Sequence, residues 1–199
     1  MIIEPIANAP IISTLDIPSG RAEGSYVVRM LKEGERTWVT PEKTRELWNA
    51  SKQHDVLFTD YTRGKPQALL RALAKSNSVW FEVTKNELPV GILYMHRVIP
   101  HFDGVGHFAF WDKIGRGREP LILDTLKYMM RRHDLRRVSA EPPANQKGTI
   151  RIIKRLGFTQ EGVRRAGVVY KGQWVDQILF GMLREEIIPV EIETGVDAA

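Results

Sequence analysis

Two glycines and two arginines alternate at Gly115-Arg116-Gly117-Arg118, immediately before a helical stretch opened by Glu119-Pro120. Glycines let backbone N–H groups approach an anion closely, and a helix start adds about half a positive charge. Arg116 and Arg118 can add charge-assisted hydrogen bonds to phosphate. A plain strand-to-helix connection with solvated arginines has the same spacing. Groups able to move a proton stand on strand-like segments: the carboxylates Glu82 and Glu141, the imidazole of His107 and the phenol of Tyr170. Strand alternation places His107, Ala109 and Trp111 on one face and Phe108 and Phe110 on the other. A packed imidazole suits that pattern as well as a reactive one. The chain contains no cysteine, which removes disulfides, thiolate nucleophiles and Cys-based metal sites and fits a reducing compartment. No clustered His/Asp spacing points to a metal.

These groups need elements to hold them. The 199 residues, 43% hydrophobic and 27% charged, suffice for one full domain and exclude wholesale disorder. Apolar stretches reach about half of the roughly 20 residues that span a bilayer, and no secretory signal is expected. Lys plus Arg at 29 against Asp plus Glu at 24 gives a net charge of +5, which suits an anionic ligand such as a nucleotide. The arginines at 131, 132, 136 and 137 read as a solvated helix end, and the aromatics Trp80, Phe81, Phe108, Phe110 and Trp111 read as core. Nucleic acid is therefore not an expected partner.

Residues 1–24, with prolines at 5, 10 and 18, read as an extended apolar arm. A strand is expected over 25–31, then a helix capped by Thr40-Pro41 and a second helix opened by Pro66. Period-two patterning over 78–84 and 88–95 around Lys85-Asn86-Glu87 predicts a hairpin, and 106–111 a third strand. Leu121, Ile122, Thr125, Leu126, Met129 and Met130 recur at helical spacing. A short strand at 137–140, a helix over 149–156 stopped by Gly157, and a hairpin about Lys171-Gly172-Gln173 follow. Residues 187–199 form a second apolar arm. Arms this apolar are expected to dock on a neighbouring chain, as a homo-oligomer or with a protein partner.

This order of elements, with Gly157, Phe158, Glu161, Gly162, Gly172 and Asp176 in the stretch from Arg151 to Glu186, resembles the Gcn5-related N-acetyltransferase (GNAT) superfamily. The resemblance is closest to its ribosomal-protein-alanine acetyltransferase-like branch, and the closing hairpin is similar to those of bacteriophage-encoded relatives. It implies a single α/β domain over 25–186, with a mostly antiparallel splayed sheet flanked by helices. It further implies acetyl-CoA as co-substrate. Phe110 and Trp111 would border the pantetheine arm, Gly115, Arg116, Gly117 and Arg118 would take the pyrophosphate, and Asn145 and Thr149 would lie near the pantetheine. Glu119 stands where the family loop has a small residue, and its carboxylate competes with the pyrophosphate for the helix start. Transfer to an amine needs a base, for which Glu141 and His107 are candidates, and a proton donor for the leaving thiolate, for which Tyr170 is one. The implied function is N-acetyl transfer from acyl-CoA to a primary amine of a small molecule or protein, in the cytoplasm. The alternative is a non-catalytic component of a larger assembly, such as a phage particle, that keeps the fold.

Overall fold

The computed structural model describes residues 2–3, 6–17, 23–33, 36–51, 77–111 and 118–188. A central antiparallel run comprises β3 (Gly24–Glu33), β5 (Val79–Lys85), β6 (Leu88–Ile99) and β7 (Asp103–Phe110). The hairpin between β5 and β6 closes on Asn86 and Glu87, both at positive φ (48° and 69°) as a tight two-residue turn requires. β5 lies between two strands and under cover on both faces, so its first five residues are all buried. Val79, Phe81 and Val83 enter one apolar cluster, while Trp80 enters a second on the opposite face.

The first face is covered by α2 (Arg118–Arg132), through Leu121, Ile122, Leu126, Met129 and Met130, and by α3 (Lys147–Arg155), through Ile153. The second face is covered by α1 (Pro41–Ser51), whose Leu47 packs with Leu31, Trp80 and Ile92. The amide of Lys43 donates to Thr40 Oγ1 at 3.1 Å, so the cap expected from Thr40-Pro41 is present. The helix expected from Pro66 lies outside the described residues.

Beyond β7 the sheet continues with β8 (Arg137–Ala140), parallel to it. The long hairpin of β9 (Thr159–Tyr170) and β10 (Gln173–Leu183) follows, with β10 antiparallel to β8. α4 (Arg184–Ile187) ends the described chain near its own core, with Ile187 buried. Described strands number ten: nine run in the order β1-β4-β3-β5-β6-β7-β8-β10-β9, where β1 is Ile2–Ile3 and β4 is Arg36–Thr37, and the tenth, β2 (Ile11–Ile17), joins β3 off that path.

Within the N-terminal segment, β2 (Ile11–Ile17) is an antiparallel edge strand on β3 of its own sheet. Ala9 is buried, Ile12 and Leu15 pack against the main cluster, and Ser13 Oγ donates to Asp124 Oδ2 on α2 at 2.8 Å. The physical reason is the outer edge of β3, whose N–H and C=O groups need a partner that residues 11–17 supply. Most of the C-terminal arm, from 189 onward, lies outside the described residues.

Candidate active site

β7 and β8 share one paired position, Val105 with Ser139, and then separate. The Phe102 carbonyl accepts from the Arg136 and Arg137 amides, so the two strands are joined where they begin, and among the described residues β7 has no further strand pairing on its β8 side past Val105. Pro142 and Pro143, directly after β8, cannot donate to a ladder and keep the split from closing. Gly106, His107 and Phe108 of β7 and Ala140 of β8 line the opening. Beneath it, on the α2–α3 face, Ile122, Leu126, Met129, Ile153, Leu156 and Phe158 enclose an apolar cavity of about 40 Å³.

The opposite face of the split is polar and aromatic. Trp80, Tyr94 and His107 occupy facing positions on β5, β6 and β7. Their rings form one stack, with centroids 4.2 Å and 4.5 Å apart and planes within 9° and 7° of parallel. His96 meets His107 edge to face at 4.6 Å. His107 Nε2 is buried and has no hydrogen-bond partner among the described residues. Burial, followed by the charges of His96 and Arg97, pushes the His107 pKa down to about 3, so the ring is neutral at physiological pH.

Glu141, the first residue after β8, has its side chain 16% exposed. Arg97 holds one of its carboxylate oxygens and Arg164 Nη1 the other, at 3.3 Å. Arg164 also donates to Gln177 Oε1 at 3.1 Å, and Gln177 Nε2 donates to the Glu141 carbonyl at 3.2 Å. Arg97 reaches Glu141 because β6 is irregular there: its pairing with β7 shifts between His96 and Ile99, and Arg97 sits at φ 51°. With both oxygens engaged by guanidinium groups, Glu141 is the centre of an ion-pair network. Glu82, the other strand carboxylate, is 2% exposed and bridges to Lys43 of α1 at 2.5 Å; burial raises its pKa.

The remaining predicted residues fall as follows. Arg118 is the first residue of α2, and its guanidinium carbon lies 5.5 Å from the Phe110 ring centroid. Phe110 packs on the α2 face, with its ring 6.3 Å from that of Phe108. Trp111 points to the α1 face, where its indole N–H donates to the Pro89 carbonyl at 2.7 Å. Gly115, Arg116 and Gly117 lie outside the described residues. Glu119 Oε1 accepts from Arg155 Nε and Nη2 at 3.0 and 2.5 Å, a neutralisation that weakens the repulsion expected at this helix start. Asn145 is exposed in the turn before α3, and Thr149 Oγ1 donates to Gln146 Oε1 at 3.1 Å. Tyr170 is at the far end of β9, beneath Lys171, and pairs with Gln173 at the hairpin tip. Phe180, seven residues along β10 from Gln173, is the one opposite Ala140. At about 3.3 Å per residue, Tyr170 is roughly 20 Å along the hairpin from the split. Sequence reading missed Arg97, Arg164 and the ring stack. The facing register of the two period-two runs was the available signal for the stack. Among the described residues no group of His, Asp and Glu is arranged to hold a metal.

This architecture, an antiparallel run that splits against a parallel neighbour with a closing hairpin beyond, is the GNAT fold. Three solved structures illustrate the likeness. The ribosomal-protein-S5-alanine acetyltransferase of Vibrio fischeri superposes with a TM-score of 0.65 at 16% identity, covering 89% of this chain and all of that one. Mycobacterium smegmatis RimJ in complex with CoA-disulfide gives 0.67 at 16% identity, with 91% and 90% covered. The spermidine N-acetyltransferase of Vibrio cholerae, in complex with CoA and spermine, gives 0.65 at 14% identity, with 81% and 97% covered. No protein-family model matches the chain, and no curated protein sequence does. No helix among the described residues is long and apolar enough to cross a membrane.

Proposed function

We propose that the chain is an acetyl-CoA-dependent N-acetyltransferase that brings donor and amine together at the split between β7 and β8. The observation that carries this reading is the split itself: one paired position, then an open strand edge over an apolar slot. An amide-containing chain such as pantetheine pairs with an open strand edge, and a slot walled by Leu126, Ile153 and Leu156 accepts its apolar stretches. The N-terminus of α2 and the arginines at 116 and 118 are suited to the pyrophosphate, as is the segment 115–117 before the helix. Phe110, set under Arg118, borders the arm. Asn145 and Thr149 stand at the start of α3, on its far side. The acceptor approaches from the α1 face, past the Tyr94–His107 stack and the rim of Glu141, Arg97 and Arg164. The acceptor is an amine of a small molecule or a protein, the two classes named for the structures of similar fold, and the reaction belongs to the cytoplasm.

Calorimetric titration with acetyl-CoA, followed by thiol release in the presence of an amine panel, tests this reading. Saturable binding is expected. Replacing Arg116 and Arg118 together with alanine weakens it more than tenfold, since each charge-assisted bond contributes about 1.5–3 kcal/mol. No binding at millimolar acetyl-CoA would overturn the proposal.

A further inference from the structure

We infer that His107 acts in this transfer as a neutral hydrogen-bond donor to the acyl carbonyl oxygen, not as the base that deprotonates the amine. The inference rests on the proposed acyl transfer and assigns a residue to its electrophilic half. The ring stands at the edge of the split, three positions of β7 before Phe110. It is fixed by the stack on Tyr94 and by the edge contact with His96, so it cannot swing to find another partner. Its Nε2 is nevertheless buried without one among the described residues. A buried polar atom left unsatisfied is costly in a folded chain, and one found at a binding cleft is explained when the ligand supplies the missing partner.

The charged and titratable groups around the ring exclude the alternative role. His96 and Arg97 of β6 add positive potential, Tyr94 offers an aromatic face, and Glu141 after β8 is already held by Arg97 and Arg164. Among the described residues no unengaged carboxylate faces the ring to stabilise an imidazolium. A ring that stays neutral is a poor base for an amine but a competent donor through a protonated Nε2, as neutral imidazoles elsewhere polarise carbonyls. In the step, the lone pair of the neutral amine forms the N–C bond and the carbonyl π pair moves to oxygen. Nε2–H stabilises the resulting oxyanion. That pair then re-forms C=O, the C–S bond breaks with its electrons leaving as CoA thiolate, and the amine's proton passes to water.

The wild-type chain, labelled with ¹⁵N at histidine, tests this without turnover. His107→Phe identifies the His107 resonances, because phenylalanine keeps the stack and lacks the nitrogens. Acetyl-CoA should move the His107 Nε2 signal, and CoA, which has no acyl carbonyl, should leave it in place. Equal shifts with both, or none at Nε2 while other residues respond to acetyl-CoA, overturn the inference alone. No response anywhere to acetyl-CoA overturns the proposed function and the inference with it. In turnover, His107→Phe should lower kcat about 10²-fold with KM for acetyl-CoA unchanged. His107→Gln, which restores an N–H, should recover part of that loss. The wild-type pH profile should show no inflection near pH 6.5, where an ordinary imidazole base would place one. An inflection there, or full activity in His107→Phe, contradicts the assignment.

Discussion

Acid should loosen this fold through one imidazole. His107 titrates near 3 in the folded chain and near the ordinary 6.5 when unfolded. Below pH 6.5 the unfolded state takes up a proton that the folded state refuses, so stability falls as pH falls. The loss begins at the unfolded pKa and stops growing below the folded one. Each pKa unit corresponds to about 1.4 kcal/mol, so the full window of 3.5 units amounts to roughly 5 kcal/mol, and the interval from pH 7 to pH 5 to about 2 kcal/mol. The perturbation that isolates this contribution is His107→Phe, which keeps the stack on Tyr94 and has nothing to protonate. Urea unfolding followed by tryptophan fluorescence at pH 7 and pH 5 gives the comparison. Over that interval the wild type should lose about 2 kcal/mol more than the variant. At pH 7 the variant should be at least as stable, because the unsatisfied Nε2 is gone. Equal losses in the two proteins would refute the reasoning, since the imidazole would then be protonating within the fold.

Two further perturbations probe the frame around the site. Glu33 is held down to a pKa of about 2, first by its hydrogen bond with His133 and then by Arg132. Its contribution is present above pH 4.5 and lost as pH falls toward 2. Glu33→Gln should cost about 1–2 kcal/mol at pH 7 after discounting for solvent screening, and the difference from wild type should vanish in urea titrations near pH 2. Removing residues 1–17 should lower thermal stability by several kcal/mol, at roughly 25 cal/mol per Å² of apolar surface uncovered along β3 and α2. Sedimentation should show the mass per assembly unchanged, and a truncated chain of wild-type stability that changes its assembly state would contradict that placement.

What the sequence disclosed, and what it withheld, follows the range of the interactions involved. The strand at 137–140 and the hairpin about Lys171-Gly172-Gln173 were readable because their signals are local: Pro142-Pro143 ends one, and residues at positive φ, Lys171 and Gly172, close the other. α2 was readable from its apolar periodicity, although it starts two residues ahead of Pro120. β2 was not, because Ile-Ile-Ser-Thr-Leu-Asp-Ile alternates poorly and its partner β3 is known only once the sheet is assembled. The site divides in the same way. His107 was legible as a residue able to do chemistry, yet its chemistry depends on burial and on two rings from other strands. Glu141 was legible as a strand-end carboxylate, but its two arginines are 44 and 23 residues away in sequence. One of them is presented by an irregularity at Arg97 that no local pattern announces. Tyr170 had the right side chain for an acid, and the length of the β9–β10 hairpin removes it from the split.

The measurement that bears most directly on the central claim is a crystal structure of this chain grown with CoA. The pantetheine arm should lie along the open edge of β7 past Val105, between that strand and β8, with the pyrophosphate at the N-terminus of α2 and the thiol near His107. A CoA molecule bound elsewhere on the surface, with the split filled by the chain's own side chains, would contradict it.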